Sequence, residues 1–493
     1  MTMTDWVLSV IFAIPLAFIC GSVAWAASSA PRDRRSPVSR RHLARGAGLC
    51  VAGTVVIALT ALATREDVHY DDFGSVMTTL AGMLGGLILL LGLGPFVPWL
   101  LRAAERHTVR LPGPLRLTTH RLSDRRGRTA AGVAITMTGT AVTVATMIIA
   151  SGVTATDRAG YVPQARSGAL RVKIFTAERG PAARAALQRE LPAVPLIDRY
   201  RANGLLYVDV PGPYRDYRSH IGDQVLLRYL TADPATPYDE GTAVMITSDD
   251  IGATSVGLRY SPTVTGSSLT GKVFPAITVK APGPGVEGVF VPAKAIQNLG
   301  LRPEPDEFIV DPSLHRTSPA EQERISDRLG DDATVYVERG FQAPTGWIPF
   351  AAATALLALG GALVATWPAP SGSRSRRVLL RVGARSCSSA RRLIASRTAF
   401  LAACGTVPGV AAGCLIGLTL VWPMTAPFDW DPAPRPDFVV PWPPIAVLAA
   451  GLPMLTVLIT AFASPGRGFP DMRAAPRLPI GAEPKPGDRD ATT

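Results

Sequence analysis

The sequence predicts a polytopic α-helical membrane protein, with seven transmembrane helices and one mixed α/β domain held outside the cytoplasm. Three observations predict it. Seven uncharged apolar stretches each reach about 18 residues or more, enough to cross a hydrocarbon core as a helix. Every second connection between them is packed with arginine, at Arg32–Arg45, Arg102–Arg128 and Arg374–Arg397, whereas Arg65–Asp72, Thr154–Gly346 and Pro423–Val440 are neutral or acidic. Short basic segments resist translocation, so this alternation fixes a side for each loop. Trp6, Trp25, Trp99, Trp347, Trp367, Trp422 and Trp442 lie at or near the ends of the stretches, where amphipathic rings prefer the headgroup region.

The stretches are Trp6–Ala27, Gly46–Thr64, Phe73–Leu101, Thr129–Gly152, Trp347–Trp367, Ala399–Trp422 and Trp442–Ala463, and none contains Asp, Glu, Lys, Arg or His. Ala24-Trp25-Ala26 has the look of a signal-peptidase site. However, Met1–Asp5 lacks the basic residue that a signal needs, and cleavage would push Arg32, Arg34, Arg35, Arg40 and Arg41 outward, so a retained helix is expected. With basic first, third and fifth linkers, the N-terminus lies outside and the C-terminus in the cytoplasm of a multi-pass cell-membrane protein. The tail agrees, with Arg467, Arg473, Arg477, Lys485 and Arg489. The expected division is 1–128, three helices with basic linkers; 129–152, the fourth helix; 153–346, the external domain; 347–463, helices five to seven with a cytoplasmic loop at 368–398; and 464–493, a Pro/Arg-rich tail.

A formal charge of +12 invites a nucleic-acid reading, but its location argues against one. Thr154–Gly346 carries 21 basic and 23 acidic side chains, so the excess lies in the cytoplasmic linkers and tail, where anionic membrane lipid is the natural partner. No nucleic acid is expected. Of the five cysteines, Cys20, Cys50, Cys404 and Cys414 fall in spans and Cys387 in a cytoplasmic loop, which leaves the external domain without a disulfide framework.

Within that domain the pattern is mixed. Ala169–Thr176 reads as a strand, Pro181–Leu191 as a helix and Gly204–Val210 as a strand; Pro319–Leu329 followed by Ala333–Glu338 repeats helix then strand. Val225–Leu230, Thr242–Thr247 and Val289–Val291 read as strands between Pro/Gly turns such as Ala281-Pro282-Gly283-Pro284-Gly285. Two β-α-β-like units flanking a variable middle are expected. Catalytic signatures are missing: the six histidines are scattered, with no zinc spacing, and there is no GxSxG elbow. Asp249-Asp250 and Asp306-Glu307 read as turn and surface carboxylates rather than an acid/base pair. Gly266–Val273 copies a phosphate-cradling loop except that Val273 stands where a Ser or Thr should hold magnesium, so no nucleotide is expected there. No catalytic, cofactor-binding or metal-ligating residue is assigned, and the chain is expected not to be an enzyme.

The membrane stretches carry more pattern. Gly405, Gly409, Gly413 and Gly417 recur at every fourth position of the sixth, a stripe that lets another helix approach to backbone contact, with Pro408 marking a kink. Thr136, Thr140 and Thr143 share a face of the fourth and are read as helix-packing hydroxyls, a polar permeation path being the sharper alternative. Between spans five and six, Val378–Ala384 mixes apolar and basic residues, and Ala390–Ser396 resumes an apolar/basic helix suited to a lipid surface or a soluble partner.

At these residues the chain resembles FtsX/MacB-type permeases, the membrane subunits of ABC transporters. The resemblance is carried by Leu115-Arg116-Leu117 through Arg125-Arg126-Gly127-Arg128-Thr129-Ala130-Ala131, and by Leu379-Leu380-Arg381-Val382-Gly383-Ala384 followed by a basic helix and a glycine-rich span. The family unit is one span, a large extracytoplasmic domain and three more spans, an order that Thr129–Ala463 reproduces. The first three spans resemble the tail of a first such unit whose external domain is absent, and Ser373–Arg377 stands where relatives often carry an acidic residue. The resemblance implies a permease subunit of an exporter or mechanotransmission complex. ATP and Mg would sit on a separate cytoplasmic ABC ATPase that presses on Leu379, Leu380, Arg381, Val382, Gly383 and Ala384, and a second permease copy or related chain would complete a dimer. The alternative is a non-transporting, membrane-anchored protein whose external domain binds a partner.

Overall fold

A computed structural model describes residues 20–29, 40–65, 72–108, 126–210, 217–249, 252–263, 269–283, 285–366, 387–426 and 435–463. The chain forms two compact units: Met1–Thr156 with Thr345–Thr493, and Asp157–Pro344.

The first unit is helical. Its described helices are α1 (20–29), α2 (Arg40–Ala63), α3 (Asp72–Leu93), α4 (Phe96–Thr108), α5 (Arg126–Ala159), α10 (Trp347–Thr366), α11 (Cys387–Met424) and α12 (Trp442–Ala463). Six of these are long and apolar enough to cross a membrane: α2, α3, α5, α10, α11 and α12. The expected first span, Trp6–Ala27, falls mostly outside the described residues; its described part, from residue 20, belongs to helix α1. The third stretch, expected as one helix over Phe73–Leu101, is instead two. α3 stops at Leu93, Gly94 and Pro95 form a turn, and α4 begins as a separate, amphipathic helix. Proline has no N–H to donate back and its ring crowds the preceding turn, so composition alone could not carry the helix through. In contrast, the basic helix and sixth span, read separately, form one 38-residue helix that continues through Pro408.

Contacts sort the helix ends. Arg435 donates to the Thr64 carbonyl at 2.6 Å and lies 5.4 Å over the Trp422 ring, and Thr79 donates to the Pro423 carbonyl at 3.2 Å. Ser151 donates to the Val439 carbonyl at 3.3 Å. The C-terminal ends of α2, α5 and α11 therefore meet the starts of α3 and α12. At the opposite end Ala26, Val97, Ala130 and Ala365 share one cluster, and Gly46 abuts Gly92 and Pro95. The described helix ends that the three arginine-rich linkers connect lie at this second end.

The second unit is a ten-stranded mixed sheet, in the order β10-β1-β9-β2-β4-β8-β5-β7-β6-β3. Its strands are β1 (Leu170–Ile174), β2 (Ile197–Ala202), β3 (Leu205–Asp209), β4 (Ser219–Gly222), β5 (Ala243–Thr247), β6 (Ser255–Ser261), β7 (Thr270–Lys280), β8 (Gly288–Pro292), β9 (Pro303–Val310) and β10 (Ala333–Val337). Helices α6 (Gly180–Glu190) and α9 (Pro319–Leu329) each join two strands that leave room for a third between them. The result, β10-β1-β9-β2, is a split β-α-β-β-α-β unit into which β3–β8 are inserted. Alternation in Leu170-Arg171-Val172-Lys173-Ile174 sends the apolar residues to one face, where they pack with Phe308, Leu187, Ile325 and Leu329 under α6 and α9. Ser318 and Glu321 form a reciprocal capping box that starts α9. Val225–Leu230, expected as a strand, is helix α7 (Gln224–Thr231), and the short helix α8 (Ala293–Gln297) follows β8. The Asp223 carboxylate accepts from the Val225 and Leu226 amides, and Leu226, Leu227 and Leu230 fall on one helical face against Phe290.

Candidate functional site

In the helical unit, α5 is held between α10 and α11, and the glycine stripe faces it. A Cβ on Gly409 would come 2.6 Å from the Met137 carbonyl oxygen, and one on Gly413 2.5 Å from that of Ala141; Gly405 abuts Thr136 and Gly417 abuts Ile148. Each four-residue step along α11 meets a four-residue step along α5, so the two helices run parallel in register. Thr136, Thr140 and Thr143 are fully buried. The Thr136 hydroxyl reaches the carbonyls of Gly132 at 3.0 Å and Ala358 at 3.2 Å, and Thr143 lies 2.8 Å from the Thr354 hydroxyl. Two of the three thus bond across to α10, while Thr140 sits against Gly409 of α11. The expected contact segment Leu379–Ala384 and the motif Leu115–Arg125 lie outside the described residues.

In the α/β unit two charged groupings stand out. One closes the base of the unit. Glu338, at the end of β10, accepts from the Tyr161 hydroxyl, the Gln164 amide at 2.9 Å and the Gly340 amide at 2.9 Å. Burial pushes its carboxyl up, but these donors outweigh burial and hold it below the ordinary range. Burial and the Glu338 bond push Tyr161 up. Phe341 packs edge-on to Tyr161 and under the Arg158 guanidinium. The chain entering the unit is thereby fastened to the chain leaving it.

The other grouping lies on the sheet face opposite α6 and α9. Lys173 of β1, Glu307 of β9 and Arg199 of β2 stand directly opposite one another across three strands. Glu307 was expected at the surface; it is 1% exposed and paired with Arg171 and, at 3.3 Å, with Arg199. A carboxylate buried between two arginines is structural in part, since removing one partner of such a pair costs about 3–5 kcal/mol. Arg199 also donates to the Ser219 carbonyl at 3.3 Å, and burial lowers its guanidinium while Glu307 raises it. Nearby His220 is pushed down to about 3, by burial first and then by the Arg199 charge. Its imidazole is neutral at physiological pH. Only one signal in the sequence hinted at this grouping, the alternating Arg171 and Lys173.

Asp249 sits in the turn after β5, its amide bonded to the Thr247 hydroxyl at 3.1 Å, and Asp250 lies outside the described residues. Lys272 and Val273 belong to strand β7 and pair with Leu258 and Gly257, so the end of the loop-like motif is extended backbone rather than a phosphate cradle. Among the described residues, no three His, Cys, Asp or Glu side chains converge as a metal site. No protein-family model matches this chain, and no curated protein does.

Proposed function

We infer that this chain is the permease subunit of an ABC exporter or mechanotransmission complex, converting ATP hydrolysis by a separate cytoplasmic subunit into movement of its α/β unit. The register between α11 and α5 carries the inference. α11 begins at Cys387, shortly beyond the segment Leu379–Ala384 on which the ATPase would press. Its glycines lock against the backbone of α5, the helix whose chain continues into the α/β unit. Backbone contacts of this kind cannot yield by rotamer change, so a push on α11 is passed to α5 rather than absorbed.

Supporting the sidedness, the helix ends that the three basic linkers connect gather at one end of the bundle, as the positive-inside bias requires of a cytoplasmic face. Residues 6–27 then supply a seventh span, with the N-terminus and the α/β unit outside and the tail in the cytoplasm of a cell-membrane protein. Ion-coupled carriers keep ionisable groups within their helices, and the apolar stretches here have none, which favours an external energy source. ATP and Mg belong to that partner, and a second copy or a related chain completes the dimer. The alternative, an anchored protein whose external domain binds a partner, is favoured by the charged face of the sheet alone.

Co-purification separates the two. The permease reading expects an ATPase subunit to come down with this chain and its ATP turnover to change with Leu380→Asp or Val382→Asp. An ATPase that binds and turns over equally well after deletion of Leu379–Ala384 would overturn it.

A further inference from the structure

The charged face of the sheet forms a recess of about 190 Å³ lined, among the described residues, by polar and charged side chains, and the charges of those residues do not balance. Four cations, Arg171, Lys173, Arg199 and Arg218, face two carboxylates, Asp306 and Glu307. Glu307 spends one oxygen on Arg171 and the other on Arg199. Arg171 turns its remaining arm to the Gln164 side-chain oxygen at 2.6 Å. Lys173 and Arg218 have no carboxylate within ion-pair distance among the described residues, and the buried Arg199 Nε has no acceptor. A purely structural ion-pair network would need only the Arg171–Glu307–Arg199 trio. Two further cations beside it repel that trio and each other, a cost that an anion in the recess removes.

We propose that this recess is a binding site for one phosphate group. The excess of two positive charges matches the charge of about −1.5 to −2 that a phosphate carries near neutral pH. Arginine and lysine together supply the forked and point donors that tetrahedral oxyanions take. The recess opens to solvent and is large enough for one phosphate and its residual hydration. Its polar lining disfavours an apolar ligand. Bound phosphate would bridge Lys173 and Arg218, from β1 and the approach to β4. His220 beside the recess is depressed by burial first and then by the charges of Arg199, Arg218 and Arg171.

The test uses the full chain in detergent micelles, titrated with inorganic phosphate, glycerol 3-phosphate or acetate at constant ionic strength in chloride, and read by calorimetry. Saturable binding of one phosphate per chain is expected, with acetate at least tenfold weaker. Lys173→Ala and Arg218→Ala each remove an exposed, unpaired cation and should weaken phosphate binding tenfold or more; Asp306→Asn should tighten it several-fold. Glycerol 3-phosphate binding more tightly than phosphate marks an ester as the ligand, whereas equal or weaker binding marks the free ion, and both support the site. Absence of saturable phosphate binding, or binding that neither Lys173→Ala nor Arg218→Ala alters, overturns it.

Discussion

Replacing Gly413 with alanine tests the α5–α11 interlock directly. The new Cβ would lie 2.5 Å from the Ala141 carbonyl oxygen, 2.8 Å from the Val144 Cβ and 3.0 Å from the Ala141 Cα. Carbon contacts are optimal at about 3.5–4.0 Å, so α11 must retreat by roughly 0.5–1 Å, and each contact across the seam then forfeits about a quarter to a half of its well. Two of the three obstructing atoms are backbone, which leaves no rotamer to relieve the clash. Overpacking of this kind costs about 1–3 kcal/mol. At the middle of that range, near 2 kcal/mol, the unfolding equilibrium shifts about 30-fold. Gly360 and Gly451, also helical, have no atom within 4 Å of an added Cβ. Gly360→Ala and Gly451→Ala should therefore be neutral or stabilising, by up to about 1 kcal/mol through helix propensity. Unfolding in mixed micelles against a rising fraction of denaturing detergent, followed by helical circular dichroism, reads all three. The stripe should also be graded, with Gly409 and Gly413 more costly to replace than Gly405 and Gly417, whose nearest neighbours are side-chain carbons. If Gly413→Ala unfolds with Gly451→Ala, the two helices do not touch where described and the push from α11 to α5 fails with them.

Three other outcomes are expected. A double-mutant cycle of Thr143→Val and Thr354→Val should give a coupling of about 0.6 kcal/mol, the size of interhelical hydrogen bonds in membranes, and zero coupling would remove the α5–α10 bond. Leu314, 62% exposed in the α/β unit, should react as Leu314→Cys with an impermeant maleimide in intact cells; labelling only after lysis would reverse the sidedness. Glu338 has a carboxyl held below its ordinary value of 4.5, so its contribution to the unit's stability is complete above that value and is lost as pH falls through the lower, folded one. Hydrogen-exchange protection at the Gln164 and Gly340 amides should fall over that acid window, and an unchanged acid profile in Glu338→Gln would show that another group is responsible.

Much of the fold was legible because its signals are local. A span announces itself by uncharged length, and the capping box at Ser318-Pro319-Ala320-Glu321 starts α9 within four residues. Where two local signals compete, composition misled. Val225–Leu230 is a short apolar run of a length that also suits a strand, yet Asp223 placed to cap and leucines at helical spacing decide for α7. Across Phe73–Leu101, apolar continuity hid the break, because hydropathy averages over the adjacent Gly94 and Pro95, two poor helix formers in succession.

The recess was illegible for a different reason. Glu307 meets an arginine that lies 136 residues away along the chain, and does so only because β9 inserts between β1 and β2. No periodicity encodes that insertion, so a buried carboxylate read as a surface one. What the sequence does contain is charge at alternate positions of β1, with the intervening Leu170, Val172 and Ile174 packed in the core. On an edge strand such charges would serve to discourage aggregation. β1 lies between β10 and β9, where both edges are already paired and that service is not needed. Lys173 stands instead on a central strand beside a carboxylate already shared by Arg171 and Arg199, and that excess of cations on one sheet face is what the proposed phosphate site rests on.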